Sequence, residues 1–409
     1  MTAAARHAFE EAQALENAGD LDKALVSYLK AQELSPQDTE IAYRTASALL
    51  QAGYLEEAQS QLRRIVFAEP EHLGARASLG NCHLLLGDIP NARQNFTEVL
   101  ELAPDNRNAL FGLASVLLKD NKPAEAEGHA RHLLNLLPDS APVLTLFAET
   151  QDKSGQASAA IAAYRKALKS APDHVPALLG LSDTLLRRKR FDEVVELSIR
   201  ANRQIPADPL PMEMLSDALS GKGDLEDARE AAEEALRLSP RSVAVLVRLS
   251  VLSRKIGHPV TALKHALTAH DLDKSAHGPL NALGAALAAL KYSNQARSVL
   301  TALSAGKGLE PDIRLVVESL IENETARLAD EAAQRTATPA APDAEPEMAK
   351  PTAASSKTGS KTPAAHGLPS HDPGTMTRST RIVEPVAEAP VGADDQVPNV
   401  LGLQRQDRS

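Results

Sequence analysis

PDNRNALFGLASVLLKDNKPAEAEGHARHLLNLLP, residues 104–138, begins and ends on proline, and the two prolines stand 34 residues apart. The same spacing runs through Pro36, Pro70, Pro104, Pro138, Pro172, Pro206 and Pro240 without one insertion. A period held that strictly marks a repeat architecture, in which each unit is too small to bury its own apolar face and stacks on its neighbours. Each unit reads as two helices. With Ala5 as position 1, the turn between them falls at position 15, which holds Gly19, Gly53, Gly87, Asn121, Gly155, Lys189, Gly223, Gly257 and Lys291. Glycine and asparagine there suit a left-handed residue that ends the first helix. Position 20 is small nearly throughout (Ala24, Ala58, Ala92, Ala126, Ala160, Val194, Ala228, Ala262, Ala296), so the two helices of a hairpin can approach closely. Proline then follows the second helix, where its missing N–H and ring clash stop propagation. Segments such as Pro138-Asp139-Ser140 and Pro172-Asp173-His174 offer capping oxygens to the next helix.

Composition agrees with helices. The 409 residues carry a formal net charge of -10, with 43% hydrophobic and 24% charged residues, which suits a chain with a core. Aromatics are only 3% and Trp is absent, while Ala and Leu are abundant; strands prefer β-branched and aromatic side chains. Cys82 is the single cysteine, which excludes an internal disulfide and suits a reducing compartment. Acidic residues arrive too early for a secretory leader, and no apolar run approaches the roughly 20 residues that span a bilayer. The expectation is a cytoplasmic protein that uses no membrane. Mild acidity argues against nucleic acid, which calls for a concentrated basic face.

The pattern resembles the tetratricopeptide repeat family, with small residues at positions 8, 20 and 27, an apolar or aromatic position 24, and Pro at 32. The third and fifth units carry it best, through Gly80, Ala92, Phe96 and Pro104, and through Ala148, Ala160, Tyr164, Ala167 and Pro172. Position 4 departs, since the family often has Trp where Ala8, Ala42 and Arg76 stand here. In the eighth unit Lys274 replaces the proline. The resemblance implies an all-α, right-handed superhelical solenoid of about nine hairpins over residues 5–308. Residues 309–335 read as an amphipathic capping helix, with Ile313, Val316, Val317, Leu320 and Ile321 on its apolar side. Residues 336–409, rich in Pro, Ala, Ser and Thr, read as a disordered tail. Within it Ile382, Val383, Val397, Val400, Leu401 and Leu403 form apolar clusters that serve either as a short partner motif or as plain tether.

The resemblance also implies that the first helix of each hairpin lines a concave groove through positions 2, 5, 9, 12 and 13. Position 5 supplies Phe9, Tyr43, Phe111, Leu179 and Glu213, and position 12 supplies Leu50, Leu84 and Leu118. Three aromatics in the first four units offer anchors for a partner, or else fill gaps between adjacent hairpins. At position 9, Asn81 and its like give way to Glu149, Asp183 and Asp217, with Asp152 beside them and Lys119, Lys153, Arg187 and Lys255 at position 13. An apolar segment bearing Lys or Arg fits that gradient, although a merely solvated face also accounts for it. The lysine-based carboxylate clamp and the asparagine ladder of two known branches of the family are both absent.

No catalytic constellation is legible. His129 and His132, with Glu125 one turn earlier, match no metal motif, and the paired glycines lie in interhelical turns rather than after strands. Cys82 reads as an inert buried thiol. The expected role is a scaffold or adaptor without enzymatic activity, cofactor or metal. The alternatives are a regulatory or targeting arm of an enzyme encoded elsewhere, such as a transferase, and a chaperone-like assembly factor. Self-association through the first unit's apolar end is a further possibility.

Overall fold

The computed structural model describes residues 1–304, 306 and 308–337, with side chains to residue 330. The expected tail, with its apolar clusters around Ile382 and Val400, lies outside the described residues. Nineteen helices and no strands make up the described chain, so it is all-α as the repeat demands. They run as α1 (Ala3–Asn17), α2 (Leu21–Leu34), α3 (Thr39–Ala52), α4 (Leu55–Ala68), α5 (Leu73–Leu85) and α6 (Ile89–Leu102). Next come α7 (Arg107–Lys119), α8 (Pro123–Leu136), α9 (Ala141–Lys153), α10 (Ala157–Ser170), α11 (Val175–Arg187) and α12 (Phe191–Gln204). The remainder are α13 (Leu210–Lys222), α14 (Leu225–Leu238), α15 (Val243–Ile256), α16 (Pro259–Leu272), α17 (His277–Ala289), α18 (Ser293–Ser304) and α19 (Pro311–Ala337). Each even helix from α2 to α14 ends two residues before its proline.

All nine position-15 residues take the left-handed conformation, from Asn121 at φ 56° to Gly257 at φ 101°. Lys189 (φ 57°) and Lys291 (φ 68°) do so although the conformation costs an L side chain about 1 kcal/mol. The repeat register therefore overrides local preference at both turns. All nine position-20 residues are buried, which brings the helices of each hairpin together. At position 8 Ser182, Ser216 and Ser250 stand where other units have Ala or Gly; Ser182 donates back to Leu178 of its own helix, and the other two hydroxyls donate across their hairpins. Ser216 reaches the Ala228 carbonyl at 2.7 Å and Ser250 the Ala262 carbonyl at 2.8 Å, so the buried polar atoms are satisfied.

Ser140 and His174 do occupy N-cap positions, but neither side chain caps its helix. Pro142 and Pro176 follow two residues later and remove one of the orphan N–H groups that a cap would satisfy. Thr2, Asp20, Asp38, His72, Asp88, Asn106 and Ser242 are the side chains that cap, each accepting from a backbone N–H three residues on.

Large apolar side chains at position 24 of the second helices act as wedges between hairpins. Phe96 of α6 is fully buried between Gly80 of α5 and Gly112 of α7. A Cβ at Gly80 would stand 2.8 Å from that ring, and one at Gly112 would overlap it outright. Tyr164 of α10 meets Gly180 of α11 in the same way. Aromatic volume on one helix is thus matched by missing volume on its neighbours.

The chain divides into two compact units. The first holds Met1–Glu322. In it Ile313 and Val317 of α19 are buried against the core of α16, α17 and α18, and Arg314 pairs with Asp271 at 2.7 Å and 3.0 Å. The second begins at Asn323, and its described part is the remainder of α19.

Candidate functional site

From α1 to α18 each helix packs on the next in order, and from α3 to α13 each odd helix also touches the following odd one, as α15 does α17. No pair of even helices among the described residues makes contact of that extent. The odd helices therefore form the tighter, inner row, and the even ones the outer row.

The expected aromatic anchors do not stand on this inner face. Phe111 is 1% exposed, Tyr43 7% and Phe9 9%. Phe9 turns its ring edge-on into Tyr28 of its own hairpin, at 5.7 Å between centroids. Tyr43 tilts against His72, the N-cap of α5, at 4.8 Å. Phe111 joins the core that holds Phe96, Leu110 and Leu146. Leu84, Leu118 and Asn81 are buried as well. The physical reason is area: each ring buries ~150–250 Å² when the next hairpin closes over it, which outweighs leaving it wet. These six residues are corrected from groove surface to core. Leu50, Leu179, Glu149, Asp183 and Glu213 are half-buried and Asp217 is exposed, so they remain accessible from the inner side.

The accessible half of the inner face carries an alternating charge ladder that spans one repeat to the next. Arg187 of α11 pairs with Asp183 on its own helix and with Asp152 on α9. Arg248 of α15 grips Asp217 of α13 in two-pronged fashion at 2.6 Å and 2.9 Å, and reaches Glu213 at 3.3 Å. Lys153 Nζ donates to the carbonyl of Leu118 at the end of α7, at 2.8 Å. Burial and the neighbouring Lys153 hold Lys119 below the ordinary lysine range. The expected acidic groove is therefore largely compensated from within. Glu149 is the exception: burial, then Asp152, push its carboxyl up to about 7 against the pull of Lys153.

Glu213 and Asp217 were legible in the sequence; that Arg248 answers them was not, although the offsets of 35 and 31 residues sit within a few residues of one period. Opposite charges spaced by about one period are the signal that finds such rungs.

Cys82 is fully buried, and burial pushes its thiol up to about 12. A disulfide reagent should therefore modify the folded chain on the order of a hundredfold more slowly than the chain in denaturant, as read by thiol absorbance. His132 is engaged by Asp105 at 2.8 Å, and burial lowers the pKa of His129. Among the described residues no helix is long and apolar enough to cross a membrane.

Models of the tetratricopeptide repeat match residues 8–38, 43–94, 83–149, 153–211 and 213–277, which together span well over half of the chain. Solved structures are similar at low identity. A MamA fragment (residue 41 to its end) from Desulfovibrio magneticus RS-1 is 23% identical, covering 42% of this chain and 97% of that one with a TM-score of 0.39. A tetratricopeptide repeat protein from Parabacteroides merdae ATCC 43184 is 17% identical, covering 61% and 98% with a TM-score of 0.47. PilF of Pseudomonas aeruginosa is 21% identical, covering 49% and 91% with a TM-score of 0.44. No curated protein matches the sequence.

Proposed function

This chain belongs to the tetratricopeptide repeat family, a family of protein-interaction scaffolds, and we propose that it holds a segment of another protein along the inner face of α9, α11, α13 and α15. The observation that carries this reading is the change of character along the inner row. In the first four units its large apolar position-5 and position-12 side chains are core, apart from half-buried Leu50. From α9 onward it presents half-buried Leu179, Leu186 and Val247 interleaved with the Arg187 and Arg248 ladders. Apolar contacts flanked by fixed charges give both area and register to an extended partner.

The role is adaptor or scaffold, and no reaction is assigned to it. A cytoplasmic place of work accords with the lone reduced thiol. A stoichiometric enzyme as partner would make the protein its targeting arm, and a mixed set of unfolded clients would make it an assembly factor.

The test is affinity capture with the full chain and two variants. Leu179→Lys, on the inner row, should lower capture by roughly tenfold or more while the melting temperature moves by only a few degrees. Phe67→Lys, on outer helix α4 where the ring is 89% exposed, should leave capture intact. Loss through Phe67→Lys with Leu179→Lys unaffected would move the working surface to the outer row and end the proposal.

A further inference from the structure

Glu149 differs from every other carboxylate of the inner ladder. Asp152 and Asp183 share Arg187, and Glu213 and Asp217 share Arg248. Among the described residues Glu149 forms no ion pair, because Lys153, one turn on, is drawn away to the Leu118 carbonyl. A second polar group at the same point also lacks a protein partner among the described residues, although its oxygen keeps a small contact with solvent. Tyr164 of α10 is 2% exposed, yet its hydroxyl makes no hydrogen bond among the described residues. That phenol lies within the fields of Glu149, Asp152, Asp183 and Arg187, so it reaches up between α9 and α11 towards the inner face. Gly180 makes room for it: a Cβ there would stand 2.6 Å from the Tyr164 hydroxyl oxygen.

A carboxylate and a phenol hydroxyl, neither with a protein partner among the described residues, thus share one neighbourhood with Asp152, Asp183 and Arg187. We propose that this point is a slot for a lysine or arginine side chain of the bound segment, whose N–H groups donate to the Glu149 carboxylate and to the Tyr164 hydroxyl oxygen. The inference rests on the partner-binding reading above and adds to it the chemistry of one contact. Charge complementarity selects the occupant, since a cation is the group that satisfies both acceptors at once.

Binding at the slot is linked to protons. The charges that act on Glu149 are Asp152 and Lys153 on its own helix; of the packed neighbours, Tyr164 of α10 feels Glu149 together with Asp183 and Arg187 of α11, Lys119 of α7 feels Lys153, and on α8 Glu127 and Arg131 pair with each other. In the empty slot Glu149 loses its proton only near pH 7, against an ordinary value of 4.5. A bound cation favours the ionised form, so affinity rises as pH climbs through 7 and falls below it.

The experiment uses the full chain and acetylated, amidated heptapeptides with mixed Ala, Leu and Ser flanks, carrying Lys, Arg, norleucine or Nε-acetyllysine at the centre. At pH 8 the Lys and Arg sets should bind about tenfold tighter than norleucine and acetyllysine, and at pH 6 less than about threefold tighter. Glu149→Gln should erase the preference at both pH values, and Tyr164→Phe should shrink it about threefold at pH 8 with binding of the norleucine set unchanged. A basic preference that survives Glu149→Gln in a chain that melts normally overturns the slot. Equal binding of all four sets, lost together in Leu179→Lys, overturns the slot and leaves the inner-face reading standing. Binding of none of the sets overturns both.

Discussion

Phe111→Glu is expected to unfold the central repeats and not merely to blunt a binding surface. The ring is 1% exposed and shares its core with Phe96, Leu110, Leu113 and Leu146. The substitution removes an aromatic from a close-packed interior and places a carboxylate there with no counter-ion. Truncating a buried Phe alone costs about 3–5 kcal/mol, and the stranded polar group adds to that. Because each hairpin is stabilised chiefly by its neighbours, the loss should spread to the units on either side before it reaches the ends. Chemical denaturation should show a midpoint far below that of the parent chain, and hydrogen exchange should show α5 to α9 opening first. A variant that melts like its parent would mean that the ring stands in solvent.

Gly112→Val should cost about 2–3 kcal/mol by the opposite route, overfilling. Any side chain at Gly112 runs into the ring of Phe96, which is already pinned on its other side by Gly80. Neither helix can retreat, because α6 is held between α5 and α7. Shrinking the wedge should relieve the strain. In a Phe96→Leu background, the further cost of Gly112→Val should fall to less than half, a coupling readable from a double-mutant cycle of denaturation midpoints. Additive effects of the two substitutions would show that they do not meet.

Turn positions, helix ends and the small residues inside each hairpin were all legible, and for one reason. A strict period lets strong units vouch for weak ones, so that Lys189 and Lys291 are read as left-handed turn residues only because glycine stands there in six of the other seven units. Depth was not legible. Position 5 states that Phe9, Tyr43 and Phe111 share a side of their helices, but whether that side is wet depends on how close the next hairpin sits. Closeness is set by pairs such as Phe96 with Gly112, which lie 16 residues apart in the chain and belong to different units. Charge told a similar story. Asp183 and Asp217 announce acidity, whereas Arg187 and Arg248 neutralise it across neighbouring units. The slot at Glu149 was hidden because Tyr164 reads as an ordinary wedge; only its bare hydroxyl, set beside Gly180, marks it as something more.

The unbroken 34-residue spacing of Pro36 to Pro240 has a consequence for how such a chain can change length. Excising one whole period joins an even helix to an odd one through the same kind of turn that stood there before. Excising half a period joins two inner helices end to end and leaves an apolar stripe with nothing opposite it. Viable descendants are therefore quantised: the array can lengthen or shorten by complete hairpins, and every such step shifts the Arg187 and Arg248 rungs along the array by one full tread.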